Sequence, residues 1–270
     1  MFKNKIFKTS FDLIVSLGED CACSSYLRKF NLQSASYPFD WLTNASLETR
    51  FELLLSNFEG FLDKKYLVYL EKKPDCINDY KNEYYMNTEN KIIFLHDFPI
   101  NMSFDEGHKF VFEKYQRRIK RLYKKIEKSK KVLFVWLGKN QSLENNEILE
   151  YQRKLTEKFK NKNIYLLILE NIPNYKEKDF KEEKISKKIL KIKYDIKTTK
   201  VPHTNDEYLG NIELNEEIFS KLKFNMQKSY KIKKLFYNLI IKQLIAIFVW
   251  NKEDRRKIRN KISHSFNLYN

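Results

Sequence analysis

Two nearly continuous apolar runs constrain the fold of this 270-residue chain more than any other feature. Residues 131–138 read KVLFVWLG and residues 163–170 read NIYLLILE. Strands with so few polar positions have both faces covered, as in a parallel sheet between helices. Because helical patterns precede and separate the two runs, strands and helices alternate along the chain. The sequence therefore predicts an α/β fold with a mostly parallel sheet flanked by helices.

A strand-to-helix turn is predicted near the beginning of the chain. Residues 11–17, FDLIVSL, predict a short buried strand that ends at Gly18. Glu19 and Asp20 come next, and acidic side chains are favoured at the positive end of a helix dipole. We therefore expect a helix to begin directly after them.

Three further segments extend this order of elements. Residues 91–99, KIIFLHDFP, predict a second strand that delivers His96 and Asp97 at its C-terminal end. Residues 189–196 alternate in polarity and predict an edge strand, whereas the polar residues 71–90 predict a loop.

A long helix is predicted between the second strand and the apolar run at 131–138. Ser103 and Glu106 have the spacing of a capping box at its beginning. Its apolar face consists of Tyr115, Ile119, Leu122 and Ile126.

The net charge of +17 indicates an anionic partner. Nucleic acid, phospholipid headgroups and a phosphorylated substrate all have the required charge. We see no helix-turn-helix, zinc-finger or RNA-binding signature, so no specific nucleic-acid partner is predicted.

The cysteine pattern favours a free thiol over a disulfide framework or a metal site. Cys21, Cys23 and Cys76 are odd in number, and Cys-x-Cys alone supplies too few ligands for structural zinc. No cofactor is predicted. The basic N-terminus leads into an apolar stretch that is broken by Lys8 and Asp12, which argues against a signal peptide. We therefore expect a reducing cytoplasm.

The character of the sequence changes after about residue 225, so we expect a domain over 1–225 and a basic amphipathic helical tail over 226–270. The apolar stretch 235–250 is interrupted by Lys242 and is shorter than the about 20 residues of a spanning helix. It is either a helix packed on the domain or an amphipathic helix in the interface of an anionic membrane, on the inner face of the cytoplasmic membrane. In the second interpretation, the following residues lie at the level of the lipid headgroups: Trp250 and the cluster Arg255, Arg256, Lys257 and Arg259.

The segment 16–42, SLGEDCACSSYLRKFNLQSASYPFDWL, resembles the signature of a bacterial family described as papain-like cysteine peptidases. The residues that carry the resemblance are Ser16, Leu17, Gly18, Cys21, Leu27, Arg28, Ser36, Tyr37, Pro38, Phe39, Asp40 and Trp41. A similar His-Asp pair, His96 and Asp97, follows. A Tyr-x-Arg-Arg-Ile-x-Arg helix comes next, so the resemblance spans about 11–140.

This resemblance implies a thiol enzyme in which Cys21 attacks the carbonyl of an acyl or peptide-like substrate. His96 would take and return the proton, and Asp97 or Asp40 would orient the site. A helix N-terminus and an imidazolium both lower the pKa of a thiol, and backbone N–H groups near Cys21 can bind an oxyanion.

Several assignments within this site remain open. His203 competes with His96 as the base, and Asn171 is a further candidate for the orienting group. His108 is expected on the surface. Cys23 lies about 200° around a helix from Cys21, so we expect it to serve packing.

The same residues also fit a transferase of surface polysaccharide biosynthesis that acts on a glycan precursor. The strand, Gly18 and the helix N-terminus can hold phosphate, and Arg117, Arg118 and Arg121 can bind an anionic donor. Gly18, Asp20 and Trp41 are the remaining candidates for contact with substrate. The turn lacks the several glycines of a nucleotide-binding loop, and Glu19 and Asp20 repel phosphate, which favours the peptidase interpretation. A third hypothesis is a non-catalytic scaffold that docks on membranes.

Overall fold

The computed structural model describes residues 4–70, 82–139, 143–176, 180–196, 209–225, 232 and 235–265. The helices before residue 226 are α1 (Lys5–Lys8), α2 (Ala22–Lys29), α3 (Leu47–Leu55), α4 (Phe104–Lys128), α5 (Asn145–Lys158) and α6 (Ile212–Lys221). The strands are β1 (Ser10–Phe11), β2 (Leu13–Ser16), β3 (Leu42–Thr43), β4 (Leu67–Leu70), β5 (Asn82–Asn87), β6 (Ile93–Pro99), β7 (Lys131–Gly138), β8 (Asn163–Ile172), β9 (Phe180–Lys184), β10 (Ile189–Asp195) and β11 (Lys223–Phe224). Short 3-10 helices lie at Pro38–Trp41 and Lys64–Tyr66.

A five-stranded sheet in the order β2-β7-β8-β10-β9 forms the centre of the fold. Its first four strands are parallel, and β9 is antiparallel to β10. Every residue of β7 after Lys131 is buried, as expected for a strand covered on both faces. The predicted α/β fold with a mostly parallel sheet flanked by helices is confirmed.

The central sheet separates two apolar clusters because successive side chains of each strand point to opposite faces. Val132, Phe134 and Trp136 of β7 belong to the cluster that contains residues of α3, α4 and α5. Leu133 and Val135 belong to the cluster that contains residues of α1, α2 and α6.

A second, antiparallel sheet in the order β3-β6-β5-β4 corrects two predictions. The strand at 91–99 is β6 of this sheet, and it continues to Pro99, so His96 lies inside the strand instead of at its C-terminal end. The predicted loop at 71–90 contains β5, which pairs with β6 through Tyr85 and Phe94, while residues 71–81 lie outside the described residues.

The predicted edge strand at 189–196 is also corrected. This segment is β10, and it lies second from the edge because β9 pairs with its outer side. β9 reads FKEEK, and such a polar segment carries little periodic signal for a strand.

The end of the chain forms a group of helices with a small apolar cluster of its own. A π-helical turn, Tyr237–Ile241, runs into the helix Lys242–Phe248, and the helix Lys252–Ser265 follows. Tyr237 packs with Ile241 and Ile262 and donates a hydrogen bond to the carbonyl of Arg259 at 3.0 Å. No helix in the described part of the chain is long and apolar enough to cross a membrane. The domain boundary near residue 225 stays a prediction.

Candidate active site

The turn between β2 and α2 lies at the carboxyl edge of the central sheet. The N–H groups of Leu17 and Glu19 donate to the carbonyls of Val135 and Leu137 at 2.7 and 2.9 Å, so the pairing with β7 continues beyond β2. Gly18 is required here because a Cβ at this position would overlap the Cβ of Cys23. The segment around Gly18 therefore holds Asp20 and Cys21 at a fixed position directly before α2.

Cys21 lies directly before α2 and is partly exposed. The side chain of Asp20 accepts a hydrogen bond from the N–H of Ala22 at 2.8 Å, and its other oxygen lies 2.8 Å from the ammonium of Lys139. Burial raises the pKa of the Cys21 thiol to about 11, and the charge of Asp20 acts in the same direction, whereas Lys139 opposes it. In this arrangement Cys21 is a protonated thiol at neutral pH.

Cys23 is part of the packed interior, as its angular distance from Cys21 on the helix predicts. It is fully buried, and its thiol donates to the carbonyl of Val135 at 3.4 Å. Burial raises its pKa to about 12, so it is the less reactive of the two thiols.

Asp40 is fully buried beside α2 and organises the segment that contains Trp41. One carboxylate oxygen accepts hydrogen bonds from the side chain of Gln33 and the N–H of Tyr37, both at 2.8 Å. The hydroxyl of Ser24 on α2 donates to the carbonyl of Asp40. Burial raises the pKa of the Asp40 carboxyl, and the positive charges nearby, that of Arg28 first, oppose this.

His96 is exposed on β6 and lies against Trp41, with ring centroids 6.5 Å apart in an edge-to-face arrangement. The guanidinium of Arg28 lies 4.5 Å from the centre of the Trp41 ring. Arg28 is seven residues beyond Cys21, which is about two helical turns or 10 Å along α2. The structure therefore brings His96 next to Trp41 and to the later turns of α2, and its role as the base of Cys21 stays a prediction.

Asp97 faces the opposite side of β6 from His96, as alternation along a strand requires. It is buried, accepts a hydrogen bond from the hydroxyl of Tyr115 at 3.0 Å and forms an ion pair with Lys114. Asp97 thus holds α4 against β6 in this structure.

Two of the three arginines predicted on α4 interact with the rest of the chain. Arg121 donates to the carbonyl of Ser36 at 2.9 Å, and Arg118 lies 5.2 Å from the ring centre of Tyr115, where its charge acts to lower the pKa of Asp40. Arg117 is exposed to solvent. Since Arg118 and Arg121 contact the chain itself, these contacts do not favour the anionic-donor hypothesis.

Sequence reasoning missed two basic residues that support the turn. Arg50 is fully buried and donates to the carbonyls of Glu19 and Leu42 at 3.1 and 3.3 Å, and burial lowers its pKa to about 10. Nothing in the sequence around Arg50 indicates burial. Lys139, in contrast, directly follows an apolar strand, and a polar residue at the carboxyl end of a parallel strand is a recognisable signal for a site.

The other candidates have structural contacts or lie elsewhere. His108, expected on the surface, is instead buried, with its Nε2 2.7 Å from the carbonyl of Leu62. Asn171 is buried and donates to the hydroxyl of Tyr194 at 3.3 Å. His203 lies outside the described residues.

Comparison with known proteins identifies a family whose members resemble this chain. A family model described as "Putative papain-like cysteine peptidase" matches residues 12–173, which include the segment from β2 to β8. The chain is similar to Uncharacterized protein R408 of Acanthamoeba polyphaga mimivirus, with 25% identity over 135 residues. This alignment covers 46% of the chain and 60% of the viral protein, so the match spans less than two thirds of that relative. No solved structure matches the chain.

Proposed function

The chain belongs to the family whose model is described as "Putative papain-like cysteine peptidase", and we propose that it is a thiol enzyme with Cys21 as its nucleophile. The position of Cys21 carries the proposal, because it is a partly exposed thiol directly before a helix, at the carboxyl edge of a parallel sheet. Ligands of α/β folds bind at this edge, outside the carboxyl ends of the strands.

The proposed reaction is the transfer of an acyl group to the sulfur and then to water. The Cys21 proton passes to the imidazole of the catalytic histidine, and the sulfur forms a bond to the substrate carbonyl carbon. The imidazolium then protonates the leaving amine or alcohol as its bond to carbon breaks. Water gives a proton to the imidazole as its oxygen attacks the thioester carbon. The C–S bond then breaks to release the acid, and the imidazolium returns the proton to the sulfur, which restores the thiol.

The proposed reaction requires a base that accepts the proton of Cys21. Burial and Asp20 hold the pKa of Cys21 at about 11, so the proton leaves the thiol near neutral pH only if a base accepts it. His96 is our candidate, and His203 remains the alternative. Asp40 acts as a positioning residue, since its hydrogen bonds to Gln33 and Tyr37 hold the turn that presents Trp41 to His96.

The substrate class in this proposal is an acyl or peptide-like compound. A reducing compartment keeps such a nucleophile in the thiol form, so we propose a cytoplasmic location for the enzyme. The chemistry requires no cofactor.

The test is the rate of iodoacetamide alkylation of each cysteine against pH, measured by mass spectrometry. The parent is compared with His96→Ala, His203→Ala and Cys21→Ser, and the buried Cys23 serves as an internal control. Because the base opposes burial and Asp20, we expect the midpoint of the Cys21 profile to lie below the about 11 that these two set, and one histidine variant to move it upward.

A midpoint near 11 in the parent and in both histidine variants would contradict the proposal, because burial and Asp20 alone would then determine the reactivity of Cys21. In that case the transferase hypothesis is the next to test, by titration of the protein with nucleotide sugars.

A further inference from the structure

The C-terminal helices expose an unusual amount of apolar surface. Of the sixteen large apolar side chains exposed in the described part of the chain, nine lie between residues 232 and 250. They are Ile232, Leu235, Phe236, Leu239, Ile240, Leu244, Ile247, Phe248 and Trp250. Trp250 is 93% exposed, which is the largest exposure in this group.

Four of these side chains form an apolar stripe on one face of the helix. They are Phe236, Ile240, Leu244 and Ile247, which are spaced by three or four residues. Tyr237 and Ile245 are buried on the other side. The helix therefore uses one face for its own packing and leaves the outward apolar stripe exposed.

Positive charge is concentrated in the same part of the chain. Residues 226–270 contain eleven lysines and arginines but two acidic residues, so they carry nine of the seventeen net positive charges. The helix Lys252–Ser265 directly follows the apolar stripe, and Lys252 and Arg256 are exposed on successive turns of it. The apolar stripe thus ends at a basic helix.

We propose that residues 235–259 are a docking surface for an anionic lipid membrane. The apolar stripe enters the boundary between headgroups and acyl chains, Trp250 lies at the interface, and the basic helix contacts the anionic headgroups. A nucleic acid accounts for the charge but leaves the exposed apolar side chains without an apolar partner. The proposal goes beyond the thiol chemistry and does not depend on it.

The experiment measures binding of the full chain to phosphatidylcholine vesicles with and without phosphatidylserine, by co-sedimentation at low salt. We expect binding to the vesicles that contain phosphatidylserine, together with a blue shift of tryptophan emission that Trp250→Phe removes. Trp136 is fully buried, so it contributes little to this shift.

Two variants separate the contributions of charge and apolar surface. Lys252→Gln with Arg256→Gln should weaken binding by about 25-fold, because each basic residue near an anionic surface contributes about fivefold. The matched control is Lys124→Gln with Lys128→Gln, which removes the same charge from exposed positions on α4 and should leave binding nearly unchanged. Leu244→Ser with Ile247→Ser should weaken binding by at least about tenfold, since it removes apolar burial.

Four outcomes overturn the proposal: no binding to either vesicle, equal weakening in the α4 control, unchanged binding after both serine substitutions, and a concentration-dependent dimer that shields Trp250 without lipid. Binding of duplex DNA or RNA in place of vesicles would assign the surface to nucleic acid instead. Cys21→Ser should bind vesicles like the parent, so failure of the thiol chemistry and failure of docking are distinguishable.

Discussion

The charge of Asp20 beside Cys21 can be removed with little change of structure, and this tests the electrostatics of the site. In Asp20→Asn the amide oxygen can still accept the hydrogen bond from Ala22 that begins α2. The substitution removes a negative charge that raises the pKa of Cys21. It also releases Lys139 from its ion pair with Asp20. Both changes stabilise the thiolate, so the pKa of Cys21 must fall.

The size of this fall follows from the partial exposure of the pair. The side chains of Asp20 and Lys139 are 16% and 23% exposed, so we bracket the interaction between the Asp20 charge and the Cys21 sulfur with the dielectric constants of a surface pair and of bulk water. At a charge separation of about 6 Å, the upper end of the range over which a neighbouring charge shifts a pKa, these limits correspond to about 0.7–2.8 kcal/mol, or about 0.5–2 pK units. We expect a fall of about one unit and therefore an alkylation rate of Cys21 about tenfold higher at pH values below its pKa.

The assay is the initial rate of iodoacetamide alkylation at Cys21 against pH, with Cys23 as the internal control. In Asp20→Asn the profile should move to lower pH, and in Lys139→Gln it should move to higher pH, because Lys139 lowers the pKa of Cys21. An unchanged profile in Asp20→Asn, or a shift to higher pH, would refute the reasoning.

Three further predictions concern stability and are measured as the free energy of unfolding in urea. Gly18→Ala should cost about 1–3 kcal/mol, because its Cβ overlaps Cys23; an unchanged midpoint would show that the turn can relax. Lys191→Ala should cost about 3 kcal/mol, since it leaves Glu170, 3% exposed and 3.3 Å from Lys191, buried without this partner; a loss below about 1 kcal/mol would contradict this. Ser46→Ala should cost about 1 kcal/mol, because Ser46 caps α3, and Ser46→Asp should restore most of the stability.

Features that depend on local or periodic patterns were predictable from the sequence. The apolar runs of β7 and β8 predict buried parallel strands, because few polar positions are compatible with a strand covered on both faces. Ser103 and Glu106 predict the start of α4, and both hydrogen bonds of the capping box are present. The turn at Gly18 was also predictable, because a strand, a glycine and two acidic residues follow one another in the sequence.

Features that depend on distant partners were decided by the tertiary structure alone. β5 is a strand because it pairs with β6, and the polar β9 is a strand because β10 leaves an open edge beside it. Burial of Arg50 and the raised pKa of Cys21 follow from the side chains that surround them, since desolvation depends on packing in space and not on position along the chain. The sequence by itself thus determined the buried parallel strands of the central sheet and the turn that carries Cys21, whereas only tertiary packing decided the outer edge of that sheet and which charges, rings and hydrogen bonds surround the turn.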